Sequence, residues 1–177
     1  MFKLYFDINN YNYIIINRLI RCLYNINQVF INSIFKNYIE LVKLLLEDEQ
    51  VDPSNWNNYS VWLASQRGYL KIVKLLLKYE RIEPSVCYNS AIQIASENGH
   101  LKIVKLLLKD KRVYPSYFDN LAIQSASKNG HLKVVKLLLK DKRVNLSDCD
   151  NYAIKLATKN GYTKIVELLL KYKWVKL

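Results

Sequence analysis

The stretch Gly99-His-Leu-Lys-Ile-Val-Lys-Leu-Leu-Leu-Lys-Asp-Lys-Arg-Val113 recurs almost unchanged as residues 130–144. Looser copies begin at Gly68 and Gly161, and a degenerate copy begins at Asn37. Each copy begins 31 residues after the one before it. A fixed period of about 20–50 residues is typical of repeat proteins whose similar units stack on one another. The sequence therefore predicts a stacked array.

Lysine and apolar residues fall on different sides of a helix within this stretch. Lys102, Lys105 and Lys109 have the i, i+3, i+7 spacing that places side chains on one face. Positions 103, 104 and 106–108 are all Ile, Val or Leu and cover most of the remaining surface. Such a helix needs neighbours on more than one side, and stacked repeats provide them. We predict an all-α fold, a solenoid of stacked antiparallel helix pairs with short extended loops.

Three residue types at fixed positions predict where the helices begin and end. Asparagine precedes each first helix, where its side chain is expected to act as an N-cap. Glycine follows each first helix, where a residue in the left-handed conformation commonly ends a helix. Proline follows most second helices and predicts extended loops that project from one edge. These positions are Asn58, Asn89, Asn120 and Asn151; Gly68, Gly99, Gly130 and Gly161; and Pro53, Pro84 and Pro115.

The period also predicts how the chain is divided. Residues 28–54 form a degenerate repeat with two helices, the first containing Phe30, Ile31, Ile34 and Phe35. The regular repeats follow at 55–85, 86–116, 117–147 and 148–177. Residues 1–27 match the pattern poorly and are either a degenerate N-terminal cap or a short docking segment. The last helix keeps the internal apolar pattern. Either Trp174, Val175 and Leu177 fold back over it, or it is open to a partner or a second copy.

Positive charge is concentrated in the regular repeats. The chain has a net charge of +12, and 51% of its residues are hydrophobic, which argues against disorder. Residues 1–54 contain 5 Lys or Arg against 6 Asp or Glu, whereas residues 55–177 contain 22 against 9. A strongly basic array favours acidic partners.

Cysteine spacing and hydropathy indicate the compartment. Cys87 and Cys149 lie two periods apart. With packed helices about 8–10 Å apart, their separation is roughly 20 Å, beyond the ~7 Å Cα limit of a disulfide. Free thiols fit a reducing compartment. Neither a secretory signal nor an apolar window of about 18 residues is present. We expect a soluble intracellular protein of the cytoplasm or nucleus, in a host cell if the gene is viral.

Residues 95–108 resemble the ankyrin repeat. They are similar to its pattern of paired small residues, Gly-His, a Val-Val pair and a triple Leu, and the pattern recurs across residues 28–172. Ser90-Ala-Ile-Gln93 replaces the family's Thr-Pro-Leu-His opening, and the period is shorter than the usual ~33 residues. The shortening falls after the second helix and predicts a truncated finger without a β-hairpin. The resemblance implies a non-catalytic protein that binds another protein and uses no cofactor.

Variable residues in the otherwise regular units are candidates for partner contacts. The loop tips carry aromatic side chains, which are favoured anchors in interfaces. The alternative is that these rings pack over the neighbouring loop. By the resemblance, the ends of the first helices would face the same concave side as the tips. The candidate partner-binding residues are Trp56, Tyr88, Tyr117, Phe118 and Asp148 at the tips, and Gln66, Glu97, Lys128 and Lys159 at the helix ends.

The lysines of the second helices form a basic stripe that suggests an alternative function. It comprises Lys71, Lys74, Lys102, Lys105, Lys133, Lys136 and Lys164. Such a stripe could bind nucleic acid or an acidic membrane surface, or it could be a solvated face that keeps the array soluble. His100 and His131 lie one period apart, too far to converge on one metal ion, so we predict a structural role for both. No phosphate-binding loop or catalytic triad motif is present, which argues against an enzyme. The identity of the partner and the oligomeric state are left open.

Overall fold

The computed structural model describes residues 25–144 and 150–175, and these residues form helices joined by turns, with no strand among them. The chain divides into two compact units, Met1–Asp52 and Pro53–Leu177. The first unit contains α1 (Ile26–Phe35) and α2 (Ile39–Leu46). The second unit contains α3 (Asn55–Gln66), α4 (Leu70–Leu76), α5 (Val86–Glu97), α6 (Leu101–Leu107), α7 (Tyr117–Lys128), α8 (Leu132–Leu139), α9 (Asp150–Lys159) and α10 (Thr163–Val175). The predicted all-α repeat solenoid is confirmed.

In the first unit, α1 and α2 pack as a helix pair. Phe30 and Ile34 of α1 and Val42 of α2 are fully or almost fully buried, as expected for the apolar faces of an antiparallel pair. Asn37 joins the two helices with a φ of 59°, in the left-handed region that asparagine tolerates. The predicted degenerate repeat is therefore a real helix pair. The proposed cap or docking segment at 1–27 lies almost wholly outside the described residues.

In the second unit, helices of the same kind stack on one another. The first helices α3, α5, α7 and α9 contact their neighbours in sequence order, and so do the second helices α4, α6, α8 and α10. Alanine allows the first helices to approach closely, because it adds only a methyl group. Its column, meaning positions 31 residues apart, is buried throughout: Ala64, Ala95, Ala126 and Ala157. Burial of Ile, Val and Leu from the second helices provides the remainder of the core.

Three of the glycines between the paired helices, at positions 68, 99 and 130, are covered by an aromatic ring of the following repeat. Gly68, Gly99 and Gly130 have φ angles of 70–77°, as predicted for residues that end a helix. A Cβ atom on Gly99 would lie 2.5 Å from Nδ1 of His131. The junction between repeats therefore requires glycine for two reasons. Its backbone has a positive φ, and the ring occupies the space that a Cβ atom would need.

The same rings tie adjacent repeats by hydrogen bonds. Nε2 of His131 donates to the carbonyl oxygen of Glu97 at 2.8 Å, and His100 makes the equivalent bond to Gln66 at 2.9 Å. Because a carbonyl oxygen can only accept, Nε2 must carry the proton in both rings. At the next junction Tyr162 replaces histidine, and Nδ2 of Asn160 donates to the Lys128 carbonyl instead. The structural role predicted for the two histidines is confirmed.

The predicted N-cap role is wrong for Asn58 and Asn89. Oδ1 of Asn58 accepts a hydrogen bond from the backbone N–H of Glu83, 25 residues away at the end of the same repeat. Asn89 makes the equivalent bond to Tyr114, and in the first unit Asn27 makes it to Asp52. The asparagine therefore joins the start of a repeat to its closing loop, because that backbone N–H has no helical partner.

The prediction that the closing loops project from one edge of the array is wrong. These loops pack against the repeats. Pro53, Pro84 and Pro115 are buried, and Ile82 and Val113 beside two of them are completely buried. Apolar side chains in the loop provide the reason, since projecting them would leave that surface in water.

Candidate protein-binding surface

The loop tips form an unusual left-handed turn at the beginning of the first helices. In α3, Trp56, Asn57 and Asn58 have φ angles of 53°, 55° and 59°. Equivalent angles of 51°, 55° and 62° occur at residues 118–120 in α7, and residues 87 and 89 in α5 also have positive φ. A bulky residue in this region is an outlier that costs of order 1–3 kcal/mol. The surrounding repeat must therefore impose the turn.

This turn leaves the aromatic tip residues exposed. Trp56 is 50% exposed, Tyr117 45% and Phe118 63%. Cys87 occupies the same column as Trp56 and Phe118, and it is an exposed free thiol. The side chain of Tyr88, together with Asp148, Cys22 and Cys149, lies outside the described residues. Three of the predicted tip residues therefore present large apolar side chains to solvent.

An aromatic pair next to the first tip was not recognised from the sequence. The rings of Tyr59 and Trp62 stack with centroids 5.4 Å apart and planes 19° apart. Tyr59 is 37% exposed and Trp62 is half-buried. The i, i+3 spacing of two aromatic residues on one helix could have indicated the pair, since such residues lie on the same face. With Trp56, they give α3 three aromatic side chains at its surface.

The predicted residues at the helix ends lie at the opposite end of each first helix from the tips. Glu97, Lys128 and Lys159 are exposed, and Gln66 is half-buried. Side chains at positions 59, 62 and 66 follow the i, i+3, i+7 pattern of one helix face. On α3, the Tyr59–Trp62 pair and Gln66 at the helix end therefore lie along one face.

The lysines of the basic stripe all lie on the surface. The seven predicted members are exposed, and so are Lys78, Lys109, Lys140 and Lys171 in a third column. Among the described residues no ion pair involves a lysine of the stripe. Their charges are therefore not neutralised by neighbouring carboxylates within the fold.

Comparison with protein-family models identifies the repeats. A model described as "Ankyrin repeats (3 copies)" matches residues 29–119 and 92–176, most of the chain. The chain belongs to the ankyrin repeat family. A search of curated proteins finds no match. Ankyrin repeats are generally protein–protein interaction modules and typically non-catalytic, so the family favours a protein partner over a small-molecule substrate.

The segment in which a shortened ankyrin finger was predicted contains an arginine that binds the preceding repeat. We call this arginine and its aspartate partner the arginine clamp. The Arg112 guanidinium forms two hydrogen bonds to the Asp110 carboxylate, at 2.9 and 2.6 Å. It also donates to the carbonyl oxygens of Ile82 and Leu77 in the preceding repeat, at 2.6 and 3.3 Å. Arg143 repeats the arrangement one period later. The clamp thus joins successive repeats through side chains.

The clamp also changes the acidity of its carboxylate. The hydrogen bond from Arg112 lowers the pKa of Asp110 below its ordinary value, and burial of the carboxyl opposes this only in part. The same bond raises the pKa of Arg112. Asp141 and Arg143 are shifted in the same directions for the same reason. Both pairs therefore stay charged at neutral pH.

The described residues offer little that points to other kinds of site. They contain no group of three or more His, Cys, Asp or Glu side chains arranged to hold a metal ion. None of the described helices combines the length and the apolar character needed to cross a bilayer.

Proposed function

We propose that this ankyrin array is a non-catalytic scaffold that binds another protein through its loop tips and the exposed face of its first helices. The observation that carries the proposal is the exposure of Trp56 and Phe118 in left-handed turns. A backbone conformation that costs free energy, at a residue whose side chain is not needed in the core, is a recognised feature of binding sites.

The aromatic cluster on α3 gives the proposed surface its centre. Trp and Tyr are enriched among the few residues that dominate binding energy, particularly where they cluster. Tyr59 and Trp62 provide a stacked pair of such rings, the exposed Trp56 precedes them in the chain, and Gln66 lies further along the face of the pair. The position of Trp62 carries Gln93, Gln124 and Lys155 in the following repeats. Each repeat therefore presents a different set of side chains to one extended partner.

The proposal is tested by comparing what the wild-type chain and two variants retain from a lysate of the source. One variant carries Trp56→Ala and Tyr59→Ala on the proposed surface. The control carries Tyr114→Ala, which removes a ring of similar size that is 57% exposed but belongs to a closing loop. A partner lost by the first variant and retained by the control supports the surface. Equal retention of every partner by all three proteins would refute it.

The exposed, unpaired lysines favour binding of a polyanion such as nucleic acid or an acidic membrane as a second candidate function. Each phosphate contact would release counterions. The logarithm of the binding constant would therefore fall steeply with the logarithm of the salt concentration, with a slope of about −1 per contact. Retention of a duplex on filters is the measurement, with Lys102→Gln/Lys105→Gln/Lys133→Gln as the variant. A wild-type chain that retains no duplex at low salt, and does not sediment with anionic vesicles, would exclude this candidate.

A further inference from the structure

The last repeat exposes positions that are buried in the repeat before it. Ser127 and Val135 have no exposed surface, and the side chain of Leu139 is 3% exposed. One period later the corresponding residues lie on α9 and α10, where Thr158 is exposed and Val166 is half-buried. Leu170, which corresponds to Leu139, is 40% exposed. We call the surface formed by Thr158, Gly161, Val166 and Leu170 the end face.

The end face also contains an uncovered glycine. A Cβ atom on Gly68, Gly99 or Gly130 would lie within about 3 Å of a ring from the following repeat, whereas one on Gly161 would have nothing within 4 Å. The φ of Gly161 is 74°, within the range of the other three. The end face thus has the backbone shape of a repeat junction without the ring that completes one.

The first unit carries a ring of the required kind. Tyr38 stands in the column of Tyr69, His100, His131 and Tyr162, and it is 54% exposed. Its φ and ψ are −83° and 79°, close to −75° and 68° at His100 and −81° and 65° at His131. Tyr38 is therefore held at the start of α2 as the rings that cover glycine are held at the starts of α6 and α8.

Surface charge is complementary between the same two parts of the chain. The lysines of the second helices fall in three columns, which contain Lys71, Lys74 and Lys78 respectively. In the first unit these columns contain the exposed residues Glu40, Lys43 and Glu47. The central repeats carry lysine in every one of these columns. The last repeat has the opposite sign to the first unit at each position, with exposed Lys164, Glu167 and Lys171.

Stacking the first unit of one molecule on the end face of another would therefore pair opposite charges in all three columns. Packed helices lie about 8–10 Å apart, close enough for long side chains in one column to interact. Stacking between two central repeats pairs lysine with lysine instead. Opposite charges in all three columns at once occur only between the first unit and the last repeat, the two parts that would meet between molecules, which favours a second copy over an unrelated occupant.

We propose that a second copy of this chain occupies the end face, with its α1–α2 pair stacked as the next repeat and its Tyr38 over Gly161. The contact joins two different surfaces, so it is heterologous. A heterologous contact that does not close into a ring produces an open chain of molecules. The association is independent of the tip surface and leaves it available for other proteins.

Sedimentation of the full-length chain over a wide concentration range, at low and at high salt, tests the proposal. We expect the weight-average mass to rise with concentration, and to rise less at high salt because ion pairs at a surface are screened. Glu40→Lys/Glu47→Lys and, separately, Lys164→Glu/Lys171→Glu should each weaken association at least about tenfold, since two attractive columns become repulsive.

Mixing the two variants provides the decisive measurement. Each variant presents like charges to itself but opposite charges to the other, so association should return only in the mixture. The matched control is Lys102→Glu/Lys109→Glu, which changes the same two columns in a central repeat and should associate as the wild type does. Far-UV circular dichroism checks that all the proteins are folded. A wild-type chain that stays monomeric at every concentration, or a mixture that does not associate, would overturn the proposal.

Discussion

Oδ1 of Asn89 accepts a hydrogen bond from the backbone N–H of Tyr114 at 2.8 Å, which connects the first turn of a repeat to the residue before its proline. Asn89 is 2% exposed and has a φ of 59°. One side chain therefore satisfies a loop N–H while its own backbone occupies the left-handed region. Both properties suit asparagine, which tolerates this conformation better than most residues.

The two contributions of Asn89 can be separated by substitution. Asn89→Ala should lower the free energy of unfolding by about 2 kcal/mol, because it loses the hydrogen bond and places a Cβ in the left-handed region. Asn89→Gly relieves the backbone and should cost about half as much. Urea denaturation followed by circular dichroism measures both. Equal losses in the two variants would mean that backbone conformation contributes nothing at this position.

The arginine clamp predicts a dependence of stability on acid. Because the pKa of Asp110 is lowered in the folded chain, its contribution is complete above the ordinary carboxyl pKa of about 3.9 and is lost as the pH falls through the folded value. The urea midpoint of the wild type should therefore fall as the pH is lowered below about 4. Asp110→Asn/Asp141→Asn should make that fall shallower.

A substitution between the two partners serves as the control for the clamp. Lys111 is exposed, and Lys111→Gln leaves both Asp110 and Arg112 in place. This variant should keep the wild-type slope of urea midpoint against pH. If the double asparagine variant keeps that slope as well, the clamp does not contribute to stability through its charges.

Buried serines of the first helices predict opposite effects of the same substitution. The hydroxyls of Ser65, Ser96 and Ser127 are buried and have no hydrogen-bond partner among the described residues. Ser60 is equally buried, but its hydroxyl donates to the Pro53 carbonyl at 2.6 Å. An unsatisfied buried polar group costs about 1–3 kcal/mol, whereas a satisfied one contributes about 1 kcal/mol.

Ser96→Ala should therefore raise the free energy of unfolding by about 1 kcal/mol, and Ser60→Ala should lower it by a similar amount. Both changes remove one oxygen atom from a completely buried position on a first helix, so each is the control for the other. Chemical denaturation under identical conditions measures the difference. A loss of stability in Ser96→Ala would show that its hydroxyl finds a partner in solution.

The parts of the fold that follow from local pattern were predictable, and those that depend on distant partners were not. Gly99 and its equivalents ended their helices as expected, because a C′ glycine is a local signal. The role of Asn89 was missed because its partner is 25 residues away. Arg112 was missed for the same reason, since its carbonyl acceptors lie 30 and 35 residues earlier in the chain.

The tips show a further limit of local reasoning. Trp56 and Phe118 belong to a residue class that avoids positive φ, so propensity alone predicts another conformation. At Trp56 the repeat overrides that preference through Asn58, which ends the turn and accepts a hydrogen bond from the closing loop. The variable tip positions were nevertheless identifiable, because variation against a repeated frame is visible in one sequence. The stacking of Tyr59 on Trp62 needed the structure.

Two glycines with nearly the same backbone predict how much the covering ring contributes to a repeat junction. Gly99 and Gly161 have φ angles of 70° and 74°, so alanine at either position incurs a left-handed penalty of about 1–2 kcal/mol. At Gly99 the new methyl group would also meet the His131 ring at 2.5 Å and disturb its bond to Glu97.

Gly99→Ala should therefore lower the free energy of unfolding by at least about 1 kcal/mol more than Gly161→Ala, since it also disturbs a hydrogen bond between repeats. Urea denaturation at low protein concentration measures this difference for single molecules. At high concentration, where we propose that Tyr38 of a second copy covers Gly161, the alanine should also weaken association. Equal losses of stability in the two variants would mean that the His131 ring can move away from the methyl group without lowering the free energy of unfolding.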